Sequence, residues 1–115
     1  MNVIDLPTVQ TWLQSHQDKE LYLHLETNNG SYTAYRNGTK ASAGAFVRNA
    51  NICYKVGKIT GEGPYRVGLK TELGWVYADG LTHAESNNNN QLLLAGLDEK
   101  GKLAVALQLS EIPFG

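Results

Sequence analysis

The sequence predicts a mainly β protein, an antiparallel barrel or sandwich-like meander with one short N-terminal α-helix. From Glu20 onward, apolar and polar residues alternate instead of recurring every three or four positions. The alternating runs are punctuated by turn chemistry, including Asn29-Gly30, Asn37-Gly38, Gly63-Pro64 and Asp79-Gly80. A helical period is confined to the first stretch of the chain.

That helix is expected from about Leu6 to Gln17. Asp5 suits the N-cap, and Pro7 falls in a first turn where its missing N–H costs nothing. Val9, Trp12, Leu13 and His16 recur at helical spacing, a stripe that should place Trp12 between helix and sheet.

Glu20 to Thr27 reads as a half-buried strand, with Leu21, Leu23 and Leu25 on one face and Tyr22, His24 and Glu26 on the other. Asn29-Gly30 closes a hairpin into Ser31 to Arg36, and Asn37-Gly38 turns again. Both asparagines open Asn-x-Ser/Thr triplets, but a glycine follows each inside a turn, so the turn reading is preferred to glycosylation. Further strands are expected at Ser42 to Arg48, Ile52 to Thr60, Tyr65 to Thr71, Trp75 to Asp79 and a short piece around Thr82 to Glu85. Turns separate them at Asn49 to Asn51, Gly61 to Pro64, Glu72 to Gly74 and Asp79-Gly80. Ser86 to Gln91, SNNNNQ, is an exposed loop whose side chains compete for the backbone.

The last unit is a hairpin, Gln91 to Leu97 and Lys102 to Ser110. Its strands are apolar on both faces: Leu92 and Leu94 oppose Leu93, Ala95 and Leu97, and Leu103, Val105, Leu107 and Leu109 back onto Ala104 and Ala106. A strand buried on both sides lies between two layers. The helix, another sheet of the same domain, or a neighbouring subunit could supply the second. A symmetric homo-oligomer with Leu92 to Leu97 or Leu103 to Leu109 at its interface is expected, and a closed monomeric barrel is the alternative.

At 115 residues the chain is one domain, 1–115, able to bury a core without a disulfide or a metal. Ten basic and eleven acidic residues give a net charge of −1, which lacks the basic footprint of nucleic-acid binding. Cys53 is the only cysteine, pointing to a reducing, cytoplasmic location. No basic segment followed by an apolar run opens the chain, and no stretch approaches about 18 apolar residues, so no membrane role is expected. Phosphate-binding GxxxxGK[ST], strand-to-helix GxGxxG, HExxH and CxxC are all missing, and no cofactor is implied.

Candidate site residues cluster by chemistry. His24 and Glu26 form a His-x-Glu pair, repeated by His83 and Glu85, and each pair points one way on its strand. If their strands were neighbours, two imidazoles and two carboxylates could converge on a metal or act as acid and base. Arg36, Arg48, Arg66 and Lys70 could gather around a carboxylate or phosphate, with Gly68 leaving space between the last two. Trp75 and Tyr77 share a strand face and, with Tyr22, Tyr54 and Tyr65, could floor an aromatic cleft. Cys53 lies two residues from Lys55 and is read as a passive, partly buried thiol.

The segments YLHLETNNGSY (Tyr22 to Tyr32), GAFVRNA (Gly44 to Ala50), GPYRVGLKTELGWVYADGLTH (Gly63 to His83) and LLLAGLDEKGKLAVALQLSEIPF (Leu92 to Phe114) resemble the YojF-like family of small uncharacterised proteins from Gram-positive bacteria. The resemblance covers most of the chain. It implies an all-β domain with a short N-terminal helix, self-association, and a link to a neighbouring zinc-dependent deacetylase of the bacillithiol pathway as partner enzyme. It implies no residue-level activity. A non-catalytic binding or accessory protein is the leading expectation. The alternative is a small metal- or His/Glu-dependent enzyme, with His24 and His83 binding metal or exchanging protons, Glu26 or Glu85 as base, and Arg66 holding an anionic substrate.

Overall fold

A computed structural model describes residues 1–28 and 44–115. The strand and turns expected between 29 and 43, with Arg36 and both Asn-x-Ser/Thr triplets, lie outside the described residues. Asp5, extended at the N-cap, accepts the Thr8 amide at 3.3 Å and opens α1 (Leu6–Ser15), with Pro7 in the first turn. The helix stops two residues short of the expected end because Asp18 takes a positive φ of 64° and donates its amide to the Tyr54 carbonyl at 2.8 Å.

Among the described residues nine strands follow the alternation: β1 (Asn2–Val3), β2 (Leu21–Thr27), β3 (Ala45–Ile52), β4 (Val56–Gly61), β5 (Tyr65–Lys70), β6 (Trp75–Leu81), β7 (His83–Asn87), β8 (Gln91–Leu97) and β9 (Leu103–Ser110). One antiparallel sheet has the order β1-β7-β8-β9-β2-β3, the other β4-β5-β6. Among the described residues neither sheet closes on itself, so the sandwich alternative holds rather than the barrel. The meander is local, to β4-β5-β6 and β7-β8-β9, and β9 then pairs back to β2.

Inner faces meet in one core. Leu92 and Leu94 of β8, Leu107 and Leu109 of β9 and Leu21 and Leu23 of β2 face Ile59, Val67, Leu69, Ala78 and Leu81 of the smaller sheet. Val9 and Leu13 dock α1 into the same cluster, and the buried Tyr54 hydroxyl donates to the Leu13 carbonyl at 2.8 Å. β6 crosses β8 glycine on glycine. A Cβ at Gly96 would stand 2.1 Å from the Gly80 carbonyl oxygen, a gap only glycine allows.

Three expectations need correction. Asn49 to Asn51 is no turn: β3 runs through it, and Asn49, at φ 58°, is the extra residue of a bulge, since Leu23 pairs with Ala50 and His24 with Arg48. Asp79-Gly80 is likewise a bulge inside β6, where Gly80 has φ 77°. Trp12 is only partly buried and stacks on the His16 ring at 3.7 Å, while Val9 and Leu13 take the core positions. Among the described residues no helix is long and apolar enough to cross a membrane.

Candidate functional site

Strand order decides what the two His-x-Glu pairs can do. Reading register across the larger sheet, His83 of β7 lies beside Ala95, Ala106 and then Glu26 of β2, while Glu85 lies beside Leu93, Gln108 and then His24. Both pairs therefore occupy the outer face, as parity predicts. They are not neighbours: β8 and β9 intervene, a separation of roughly 14 Å at about 4.8 Å per strand step. One shared centre does not form, and among the described residues no group of three or more His, Cys, Asp or Glu side chains is placed to hold a metal.

His24 and Glu26 build a centre of their own. The imidazole is 4% exposed although it faces away from the main core, because Phe46 of β3 and Phe114 of the final segment set ring edges against it at 5.0 and 6.3 Å. The His24 Nε2 is 3.1 Å from Glu26 Oε1, and Arg48 Nη1 is 3.2 Å from His24 Nδ1. A guanidinium can only donate, so Nδ1 must accept, and the ring proton sits on Nε2, where it is donated to Glu26. The same guanidinium donates to the Gly115 carbonyl at 2.8 Å and lies over the Phe114 ring at 5.0 Å. Next to it, Asn49 exchanges two hydrogen bonds with the Phe114 backbone, at 2.7 and 2.9 Å. The carboxylate–imidazole–guanidinium chain thus fastens the final residues onto β2 and β3.

His83 keeps separate company. It shares a 2.7 Å hydrogen bond with the Thr82 hydroxyl, and Glu85 pairs with the Met1 amine at 3.6 Å.

The expected pocket of cations does not assemble either. Arg48 belongs to the outer face of the larger sheet, and Arg66 and Lys70 to the outer face of the smaller one. There they flank two rings in a column. Arg66 grips the Asp79 carboxylate with bonds of 2.9 and 3.0 Å and lies over Tyr77 at 5.1 Å; Tyr77 stacks on Trp75 at 5.3 Å, and the Lys70 amine lies over Trp75 at 5.8 Å. Gly68 makes the column close, since a Cβ there would come within 2.9 Å of the Tyr77 ring. The Arg66 hydrogen bond holds the Asp79 carboxyl below the usual carboxylate range. Trp75 and Tyr77, each about half exposed, meet each other and the two cations with their ring faces, which removes the flat platform the expected aromatic cleft needs. Tyr54 and Tyr65 belong to the core side, and Tyr22 to the other sheet.

A concavity of about 520 Å³ lies between α1 and the β1–β7 edge, with Val9, Trp12, Ala84 and Leu92 as its apolar lining and Thr8, Thr11, Ser15 and Ser86 as hydroxyls. No local pattern of residues marks it, because it depends on where α1 docks. Phe114 and Gly115 were missed for the same reason, since only the fold brings the end of the chain to His24, whereas Phe46 reaches it through the pairing of β2 with β3.

These features define a two-sheet antiparallel β protein whose polar centres are closed on themselves. The chain belongs to the family described as protein of unknown function (DUF1806), which matches residues 3–114. It is 49% identical over 114 residues to the uncharacterized protein YojF of Bacillus subtilis (strain 168), across 99% of this chain and 98% of the relative. The crystal structure of Bacillus subtilis YojF superposes with a TM-score of 0.82 over 99% of this chain and 96% of that one, with 45% identity in the structural alignment. The resemblance drawn from the sequence segments is thereby shown.

Proposed function

We propose that the chain is a non-catalytic binding or accessory protein of the cytoplasm that acts as a homo-oligomer. One observation carries the reading: the side chains best suited to chemistry spend their polar atoms on one another. Both nitrogens of His24 are engaged, by Glu26 and Arg48, and Arg66 is bidentate on Asp79. His16 donates from Nδ1 to the Trp12 carbonyl at 2.8 Å and stacks under the Trp12 ring. A general base needs a free lone pair within reach of a substrate proton, and a substrate-binding arginine needs free donors. The open concavity beside α1, in contrast, mixes apolar and hydroxyl groups, the surface of a binding site.

The partner to test first is the one the family resemblance suggests, a zinc-dependent deacetylase of the bacillithiol pathway. The deacetylase from the producing bacterium, mixed with this chain at tens of micromolar, should co-elute with it on gel filtration. The melting temperature of the chain should rise as the enzyme is added. Separate elution together with an unchanged melting temperature overturns the partnership.

A further inference from the structure

We infer that residues 111–115 form a strap that acid loosens: a proton taken up by His24 turns Arg48 away, frees the strap from β2 and β3, and uncovers the His24–Glu26 pair. The inference goes beyond the binding role proposed above. It concerns the condition under which the polar atoms of this centre stop being spent on one another.

The closed form depends on a neutral ring. Nδ1 of His24 accepts from Arg48 Nη1 at 3.2 Å, while Nε2 faces Glu26 Oε1 at 3.1 Å. A second ring proton converts Nδ1 from acceptor to donor, so that an N–H faces an N–H and two cations lie side by side. Glu26 decides which partner is lost. Its carboxylate is attracted to a charged ring, whereas the guanidinium is repelled by one. The ring therefore keeps Glu26 and gives up Arg48. The other side chains that face it are the Gln108 amide on β9, the Tyr22 phenol on its own strand and the edges of Phe46 and Phe114. Glu111, at the root of the strap, is engaged by Lys19 at 3.5 Å.

Arg48 is also the charged anchor of the strap. The same guanidinium donates to the Gly115 carbonyl at 2.8 Å and lies over the Phe114 ring at 5.0 Å, so its departure removes both contacts. Asn49 adds two bonds to the Phe114 backbone, but these are neutral and individually weaker than a charge-assisted bond. The segment can lift without opening the core. Ile112 is 52% exposed, and no residue of 111–115 belongs to the main cluster of buried residues. β9 ends at Ser110, whose hydroxyl accepts the Ile112 amide at 3.1 Å, and the strap swings from there.

Opening changes what the outer face offers. In the closed form the imidazole is 4% exposed under the Phe46 and Phe114 edges. The open form presents a charged imidazole and a released guanidinium beside one carboxylate.

NMR of the full chain from about pH 8 to about pH 5, the span in which an ordinary imidazole changes charge, is the test. The His24 ring signals report the proton. Exchange of the Phe114 amide, divided by that of an unstructured peptide at the same pH, reports the strap. Phe114 protection should fall at least about ten-fold along the His24 titration, while that of Leu107 within β9 holds. His24→Gln offers Arg48 an acceptor and Glu26 a donor but takes up no proton, so its Phe114 protection should be flat across the same range. Glu26→Gln serves if His24→Gln fails to fold: without the carboxylate that supports a charged ring, the loss should move to lower pH. Phe114 protection that stays constant while His24 titrates overturns the strap. A His24 that remains neutral throughout, a loss shared by Leu107, the same loss in His24→Gln, or a loss that Glu26→Gln leaves at its original pH overturns it as well.

Discussion

Arg48 Nη1 lies 3.2 Å from His24 Nδ1, and that contact determines which imidazole nitrogen carries the proton. With Nδ1 accepting, the ring is neutral and aims its Nε2–H at Glu26. Nitrogen NMR should show Nδ1 of His24 as an unprotonated, pyridine-type nitrogen and Nε2 as the protonated one, and the reverse assignment would refute the chain of bonds. Arg48→Met removes the donor to both His24 and Gly115, so it should cost about 1 kcal/mol and speed exchange of the Phe114 amide.

Tyr54 offers a test at the opposite end of the pH scale. Burial pushes its phenol well above the ordinary value, since ionisation would place a charge inside the core. In the unfolded chain the phenol releases its proton near pH 10. Above that pH the unfolded state binds fewer protons than the folded one, so stability is complete below about pH 10 and falls by up to about 1.4 kcal/mol per unit above it. Tyr54→Phe should remove this share of the alkaline loss. At neutral pH it should cost about 1 to 2 kcal/mol, because the hydrogen bond to the Leu13 carbonyl is gone. Urea melts between pH 7 and 11 measure both.

Asp79 titrates low because Arg66 holds its carboxylate. The sign follows: a carboxyl whose folded value is depressed contributes above its unfolded range and loses that contribution as acid is added. Its NMR titration midpoint should lie below that of a free aspartate and return to the ordinary range in Arg66→Gln. Salt should raise it, since both groups are in water.

Gly96→Ala should be among the most damaging single-methyl additions in this chain. The new Cβ would stand 2.1 Å from the Gly80 oxygen and 2.5 Å from a Val105 methyl, so β6 must lift off β8. A loss of about 3 kcal/mol is expected in denaturant melts. A loss under about 1 kcal/mol would mean that the crossing can slide.

Periodicity made the faces of β2 legible, and with them the alignment of His24 with Glu26. It could not separate a turn from a bulge. Asn49 and Gly80 both need positive φ, and either structure satisfies that demand, so local sequence marked the right residues and assigned them the wrong role. The partners of His24 were harder to read in proportion to their distance along the chain. Arg48 follows from β2 pairing with β3, whereas Phe114 is ninety positions away and leaves no local trace. The hope that His24 and His83 converge failed on strand order, which depends on long-range pairing between runs that look alike.

The glutamines of the N-terminal region have an arithmetic consequence. A small sheet with two exposed rims has a valence of two, and units of valence two link into open-ended filaments. Gln10 and Gln17 fill one rim with side-chain amides, so that rim offers no backbone bonds to a further strand. The helix is thereby a chain terminator in the polymer chemist's sense, and Gln10→Ala together with Gln17→Ala should reopen that rim and raise the tendency of the chain to associate, visible as concentration-dependent light scattering.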